Sequence, residues 1–118
     1  MTGARLTLPY PPSTNRLWRQ WKGRTLISRE GRAYRRLVGI ECLRQCVHTF
    51  GRQTVALRIV AWMPDARRRD LDNLLKATQD ALAAARVYED DSQIVDLHIR
   101  RGGIDRASPR LEITLEAA

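Results

Sequence analysis

Cysteine and histidine are scarce in this 118-residue chain: Cys42, Cys46, His48 and His98 are all it has. The thiols fall four residues apart in a predicted helix, and with His48 they make half of a tetrahedral zinc set. No second pair of ligands follows, so zinc is not expected and both cysteines read as semi-buried free thiols. No run of about 18 apolar residues occurs, so no spanning helix is expected. The opening Met1-Thr2-Gly3-Ala4-Arg5-Leu6 lacks the apolar segment of a secretory signal. Together these absences predict a cytoplasmic protein with no membrane partner. Repeats and low-complexity tracts are absent as well. Acid is in deficit: 13 Asp and Glu stand against 21 Lys and Arg, a net charge of +8, which points to a polyanion or an acidic surface as partner.

This length accommodates one domain, residues 1–118. The 43% hydrophobic fraction provides a modest core, which dimerisation would assist. Residues 5–8 alternate and predict a strand with Leu6 and Leu8 on one face, stopped by Pro9, Pro11 and Pro12. Ser13-Thr14-Asn15-Arg16 reads as a polar loop. Trp18, Arg19, Trp21, Lys22 and Arg24 follow; cations interleaved with aromatics grip phosphates and stack on bases, the alternative being tryptophans packed on the domain. Residues 25–27 read as a short strand or an extended lead-in. Ser28 predicts an N-cap. Leu37, Ile40, Leu43, Val47 and Phe50 predict the inward stripe of a helix over about residues 29–49, ending near Gly51. Residues 54–62 alternate as a central strand, with Val55, Leu57, Ile59 and Ala61 on one side. A second helix starts at Asp70, turns Leu71, Leu75, Thr78, Leu82 and Ala85 inward, and ends at Val87-Tyr88. Strands are expected over residues 93–100 and 110–116, joined flexibly through Gly102-Gly103 and Pro109 as a long-looped hairpin. The order strand, helix, strand, helix, strand, strand predicts an α+β domain, a mixed sheet with two main helices packed on it.

Within it, the stretch from Pro64 to Asp91 carries the chemistry. Arg67-Arg68-Arg69 leads into Asp70-Leu71-Asp72. Arginines suit a phosphate backbone, while clustered carboxylates repel one another unless a cation sits between them. Both in one segment point to a metal-dependent enzyme acting on nucleic acid. The plainer reading of Asp70 and Asp72 is helix capping, worth roughly 0.5–2 kcal/mol. Against it stand the arginine-rich approach and the second acidic cluster, Glu89-Asp90-Asp91, one helix later. Lys76 adds to them, one turn beyond Asp72, although an i,i+4 ion pair with Asp72 or Asp80 would also explain it. A helix of about fifteen residues separates its ends by roughly 20 Å, so Asp70 cannot reach Asp91 along one straight helix. A symmetric dimer would answer this by bringing one chain's helix start to its partner's acidic turn.

At these residues the chain resembles the RusA family of Holliday-junction resolvases of bacteria and their phages. Pro11-Pro12-Ser13-Thr14-Asn15-Arg16 is similar to the family's opening, and Gly23-Arg24, Ser28 and Tyr34 continue it. Residues 63–74, with Lys76 and Asp80-Ala81-Leu82, resemble the family core, and Asp90-Asp91-Ser92-Gln93-Ile94 completes it. Ala66 departs from it, since the family often carries a charge there, and the C-terminal tail is short. The resemblance implies a homodimer that binds four-way junction DNA and nicks two opposed strands, using Mg2+, which Mn2+ is expected to replace, and no small-molecule cofactor. It implies that Asp70, Asp72 and Asp91 are the catalytic carboxylates and metal ligands, with Lys76 catalytic and Asp90 a supporting acid. DNA contacts are expected from Ser13, Thr14, Asn15 and Arg16, from Ala66, Arg67, Arg68, Arg69 and Asn73, and from Arg24 among the interleaved aromatics.

On this reading magnesium activates the attacking water and offsets charge on the entering and leaving oxygens. Lys76 steadies charge on the phosphorane or the leaving group, and the arginines fix the register of the phosphates. The rivals are a binding protein whose aspartates only cap, a metal nuclease for flaps, duplexes or RNA, and a phosphohydrolase for small esters. The extended basic loops exceed what one small phosphate needs.

Overall fold

The computed structural model describes residues 3–118, apart from the side chains of Thr14 and Asn15. In chain order its elements are β1 (Gly3–Pro9), α1 (Thr14–Leu17), β2 (Trp18–Trp21), β3 (Arg24–Ile27), α2 (Arg29–Arg44), β4 (Val55–Met63), α3 (Leu71–Ala84), a 3-10 turn (Asp91–Gln93), β5 (Ile94–Ile104) and β6 (Arg110–Ala117). The main sheet runs β1-β6-β4-β5, with β4 and β5 parallel and the other pairs antiparallel. α3 is the crossover that makes β4 and β5 parallel. This is the expected α+β architecture with a mixed sheet. Alternation puts Leu6, Leu8, Val55, Leu57, Ile59, Ala61, Leu111, Ile113 and Leu115 on one face, where all are buried.

The last two strands are not a hairpin. β4 lies between them, because the crossover puts β5 on one side of β4 while β6 pairs antiparallel on the other. Gly102 and Gly103 are not a flexible link either; they belong to β5. A Cβ on Gly102 would come within 2.8 Å of Trp62 Cε2 and Val60 Cγ1, so the missing side chain makes room for the tryptophan ring. The short basic stretch after α1 is a hairpin, β2–β3, turned by Lys22 and Gly23 at φ 48° and 75°. Two consecutive positive φ values match the twist of paired strands.

The first long helix differs from expectation in length and rotation. It ends at Arg44, where Cys46 adopts φ 57° and the Val47 amide donates back to the Cys42 carbonyl at 2.9 Å. Its buried residues are Gly31, Tyr34, Val38 and Cys42. Leu37, Ile40 and Leu43 are exposed, at 41%, 57% and 82%. The sheet selects the face that approaches closely. Gly31 packs on the Leu17 carbonyl, where a Cβ would sit 2.6 Å from that oxygen, and the Tyr34 hydroxyl donates to the Pro9 carbonyl at 2.7 Å. In α3 the buried set is Leu74, Ala77, Thr78, Ala81 and Leu82, so Leu71, Leu75 and Ala85 stand at the margin. Cys42 is buried and Cys46 exposed.

Candidate nucleic-acid interface and acidic site

Ser28 anchors one wall of a basic cleft. Its hydroxyl accepts from the Gly31 amide at 3.0 Å as the N-cap of α2 and donates to the Arg16 carbonyl, while its own amide donates to the Leu17 carbonyl at 2.8 Å. The Ser13 carbonyl accepts from the amides of Arg16 and Leu17, both at 2.9 Å. Segment 13–17 is thereby fixed on the start of α2.

The other wall is the loop after β4. Asp65 accepts from the Arg67 amide at 2.9 Å and grips both terminal nitrogens of Arg69, Nη2 at 3.1 Å. The Arg69 guanidinium first, and the Arg67 amide after it, hold the Asp65 carboxyl well below the usual carboxylate range. Arg101 Nη2 donates to the Arg69 carbonyl at 2.7 Å, bracing the loop from β5. Between the walls lies an open cleft of about 810 Å³. Ser13, Arg16, Arg67, Arg68, Arg69 and Asn73 line it, as expected from the sequence, together with Asp70. Ala66 is exposed on the loop without lining the cleft, and Arg24 lies on the hairpin outside it. The side chains of Thr14 and Asn15 lie outside the described residues.

Two lining residues escaped the sequence reading. Arg101 lies just past the expected strand over residues 93–100, whereas in the structure β5 continues and places it in register with buried Ala61. Tyr10 sits between two prolines, its ring 5.8 Å from the Arg69 guanidinium. Among the described residues its buried hydroxyl has no hydrogen-bond partner, and burial raises its pKa against the lowering pull of Arg69 and Arg101.

Asp70 occupies the N-cap position of α3 with φ −77° and ψ 127°, yet its side chain makes no cap hydrogen bond. Asp72, in the first turn, is exposed. Among the described residues neither carboxylate forms an ion pair. Capping therefore does not explain Asp70. Lys76 is unpaired too, its ammonium 5.5 Å from the Trp18 ring centroid. Its i+4 neighbour Asp80 is taken by Arg35, whose Nε and Nη2 donate at 2.9 and 2.8 Å and tie α2 to α3.

The second acidic cluster is a locked turn. The Gln93 side chain accepts from the amides of Glu89 and Asp90 and donates to the carbonyls of Gly51 and Gln53, each at 2.8 Å. Asp90 caps the 3-10 turn through the Ser92 amide and hydroxyl, which lower its pKa, so it has a structural duty. Asp91 is raised instead, first by partial burial and then by the charges of Asp90 and Asp80.

Asp70 precedes α3, a helix of 14 residues about 21 Å long at 1.5 Å per residue, whereas Asp91 follows its far end in the 3-10 turn, where the charge of Asp80 reaches it. Among the described residues no group of three or more His, Cys, Asp or Glu could hold a metal ion. The expectation that Asp70, Asp72 and Asp91 converge is therefore not met within one chain. Asp70, which lines the cleft, and Asp72 two residues on are carboxylates without ion-pair partners, a donor type that fits a hard divalent cation. Magnesium is commonly held by one or two carboxylates plus substrate phosphate oxygens.

Residues 9–116 match the family model of endodeoxyribonuclease RusA. The chain belongs to this family. It is 44% identical to the crossover junction endodeoxyribonuclease RusA of Escherichia coli strain K12, over 93% of this chain and 91% of the relative. Its counterpart from Enterobacteria phage 82 is also 44% identical over the same shares, and that of Shigella sonnei strain Ss046 is 45% identical. The RusA match takes in both cleft walls, α3 and the locked turn.

Proposed function

We propose that the chain, as a single endonuclease domain over residues 1–118, resolves four-way DNA junctions by paired symmetric nicks in recombination and repair, acting as a homodimer in the cytoplasm with Mg2+ or Mn2+. The observation that carries this reading is Asp70, without an ion-pair partner and lining a cleft of arginines, with Asp72 equally unpaired in the first turn of the same helix. Asp70 and Asp72 of one protomer would hold the cation, completed by Asp91 of the other. When bound, the ion supplies Lewis-acid stabilisation of the phosphoryl oxygens and acidifies water. Arg16, Arg67, Arg68 and Arg69 hold phosphates and set the strand's register, and Arg101 keeps the loop in place. Lys76, resting beside Trp18, offsets charge as the leaving oxygen departs. Dimerisation is supported by the apolar side chains α2 and β5 leave exposed, Leu37, Ile40, Leu43, Val95 and Leu97. A two-fold dimer presents two sites to opposed strands of a two-fold junction.

The test compares a four-way junction with a linear duplex of the same arm sequence at moderate salt, with Mg2+ and with EDTA. Junction cleavage that EDTA abolishes, with the duplex left intact, is the expected result. Equal cutting of both substrates would replace this reading with a general duplex nuclease.

A further inference from the structure

The face of the main sheet opposite the buried one carries a second basic surface that the cleft does not use. Strand register places its side chains in rows. Arg5 on β1, Thr114 on β6, Arg58 on β4 and His98 on β5 are successive cross-strand partners. Thr7, Glu112, Val60 and Arg100 form the next row. The surface is concave, with a volume of about 670 Å³, and Arg5, Arg58, His98 and Arg100 line it. All four are exposed.

Cations side by side on one sheet face repel unless something neutralises them. Several arginines elsewhere are paired, Arg35 with Asp80, Arg69 with Asp65, Arg110 with Asp105 and Glu112. Among the described residues Arg5, Arg58 and Arg100 have no such partner, and His98 meets only Asp96, at 3.4 Å. Glu112 also lines the surface, but it accepts from Trp62 Nε1 at 2.6 Å and is paired with Arg110. Among the lining residues Glu112 is the one carboxylate, so three arginines and a histidine outnumber the acid on this surface.

We propose that this open sheet face is a second binding site for the phosphodiester backbone of duplex DNA. The inference rests on the nucleic-acid reading above and adds a contact to it. β1 and β5 are the edges of a four-stranded sheet, about 14 Å apart at the usual strand spacing. Cations at both edges are set to reach phosphates on either side of a major groove about 12 Å wide. The cleft engages the strand to be cut; the sheet face takes the backbone of another arm. Hydroxyls of Thr7 and Thr114 add neutral donors to the same surface, which suits sequence-independent contact.

Binding of the full-length protein to a labelled four-way junction, in EDTA and across 50–200 mM salt, tests this. The variant Arg5→Gln/Arg58→Gln/Arg100→Gln should lower the slope of log affinity against log salt by about 2.7 per engaged chain, at about 0.9 for each lost phosphate contact. Arg100→Gln alone, on the exposed edge strand, should lower it by about 0.9. It guards against a triple variant that folds poorly. A slope unchanged in Arg100→Gln and in a folded triple variant overturns the proposal. So does an unchanged junction slope with lost binding to polyglutamate, which would assign the face to an acidic protein. Cleavage is not read in this assay. Separately, a wild-type protein that binds junctions but leaves them uncut with Mg2+ sinks the nuclease reading alone.

Discussion

Asp70→Asn subunits mixed with Asp91→Asn subunits should nick junctions, although each variant alone is inactive. The reason is that α3, 14 residues and about 21 Å long, lies between those residues, and among the described residues the acids do not gather into one metal site. If one protomer's Asp70 and Asp72 meet the partner's Asp91, a homodimer of either variant carries a lesion in both sites. A heterodimer is different. One of its sites collects both lesions and the other is wild-type. Random mixing makes about half the dimers heterodimeric, so about a quarter of all sites are intact. A supercoiled plasmid extruding a cruciform separates the outcomes, because one nick gives an open circle and two opposed nicks give a linear molecule. The mixture should yield open circles at about a quarter of the wild-type nicking rate, with little linear product. If each site is built within a single chain, every site keeps one lesion, and no nicking above the separate variants would refute the shared-site argument.

Three further outcomes are expected. Burial and the charges of Asp90 and Asp80 raise the Asp91 pKa, so the folded chain takes up that proton more readily than the unfolded one. The resulting loss of stability is fully present above the raised value and disappears below the ordinary carboxylate range. In metal-free protein Asp91→Asn should therefore melt above the parent at pH 7, the gap closing towards about pH 3; a gap that widens in acid would contradict this. Gly31→Ala places a Cβ 2.6 Å from the Leu17 carbonyl and should cost about 1–3 kcal/mol in denaturant unfolding. An unchanged midpoint would deny the close approach that fixes segment 13–17. Arg101→Gln should weaken junction binding by loosening the loop while leaving its salt slope unchanged, read by fluorescence anisotropy, whereas a slope lower by about 0.9 would make Arg101 a phosphate contact itself.

Strand alternation carried most of the fold. Period two alone puts Leu6, Leu8, Val55, Leu57, Ile59 and Ala61 on the inner face, and all are buried. Helix faces were less readable, because counting aliphatics favours Leu37, Ile40 and Leu43, while the sheet accepts Gly31, Tyr34, Val38 and Cys42. Close approach and a tyrosine hydrogen bond outweigh greasiness there. The Lys22-Gly23 turn has only one glycine between two short basic runs as its signal, since Lys22 at positive φ is uncommon for a residue with a side chain. At the site, the arginine loop and Ser13–Arg16 were readable because charge and small polar residues cluster in sequence. Arg101 was not, since only the sheet brings it to Arg69 across 32 positions. That Asp70 makes no capping bond was likewise invisible: aspartate at a helix start looks the same whether or not its oxygens are used.

Asp72→Asn, assayed for cleavage and binding on one four-way junction with Mg2+, bears most directly on the proposed role of this acidic pair. Among the described residues the carboxylate has no ion-pair partner, and on the proposed reading it would hold the ion next to the scissile phosphate, so its loss should abolish nicking while junction affinity holds or rises. A variant that nicks at the parental rate would show that the aspartates serve only the helix.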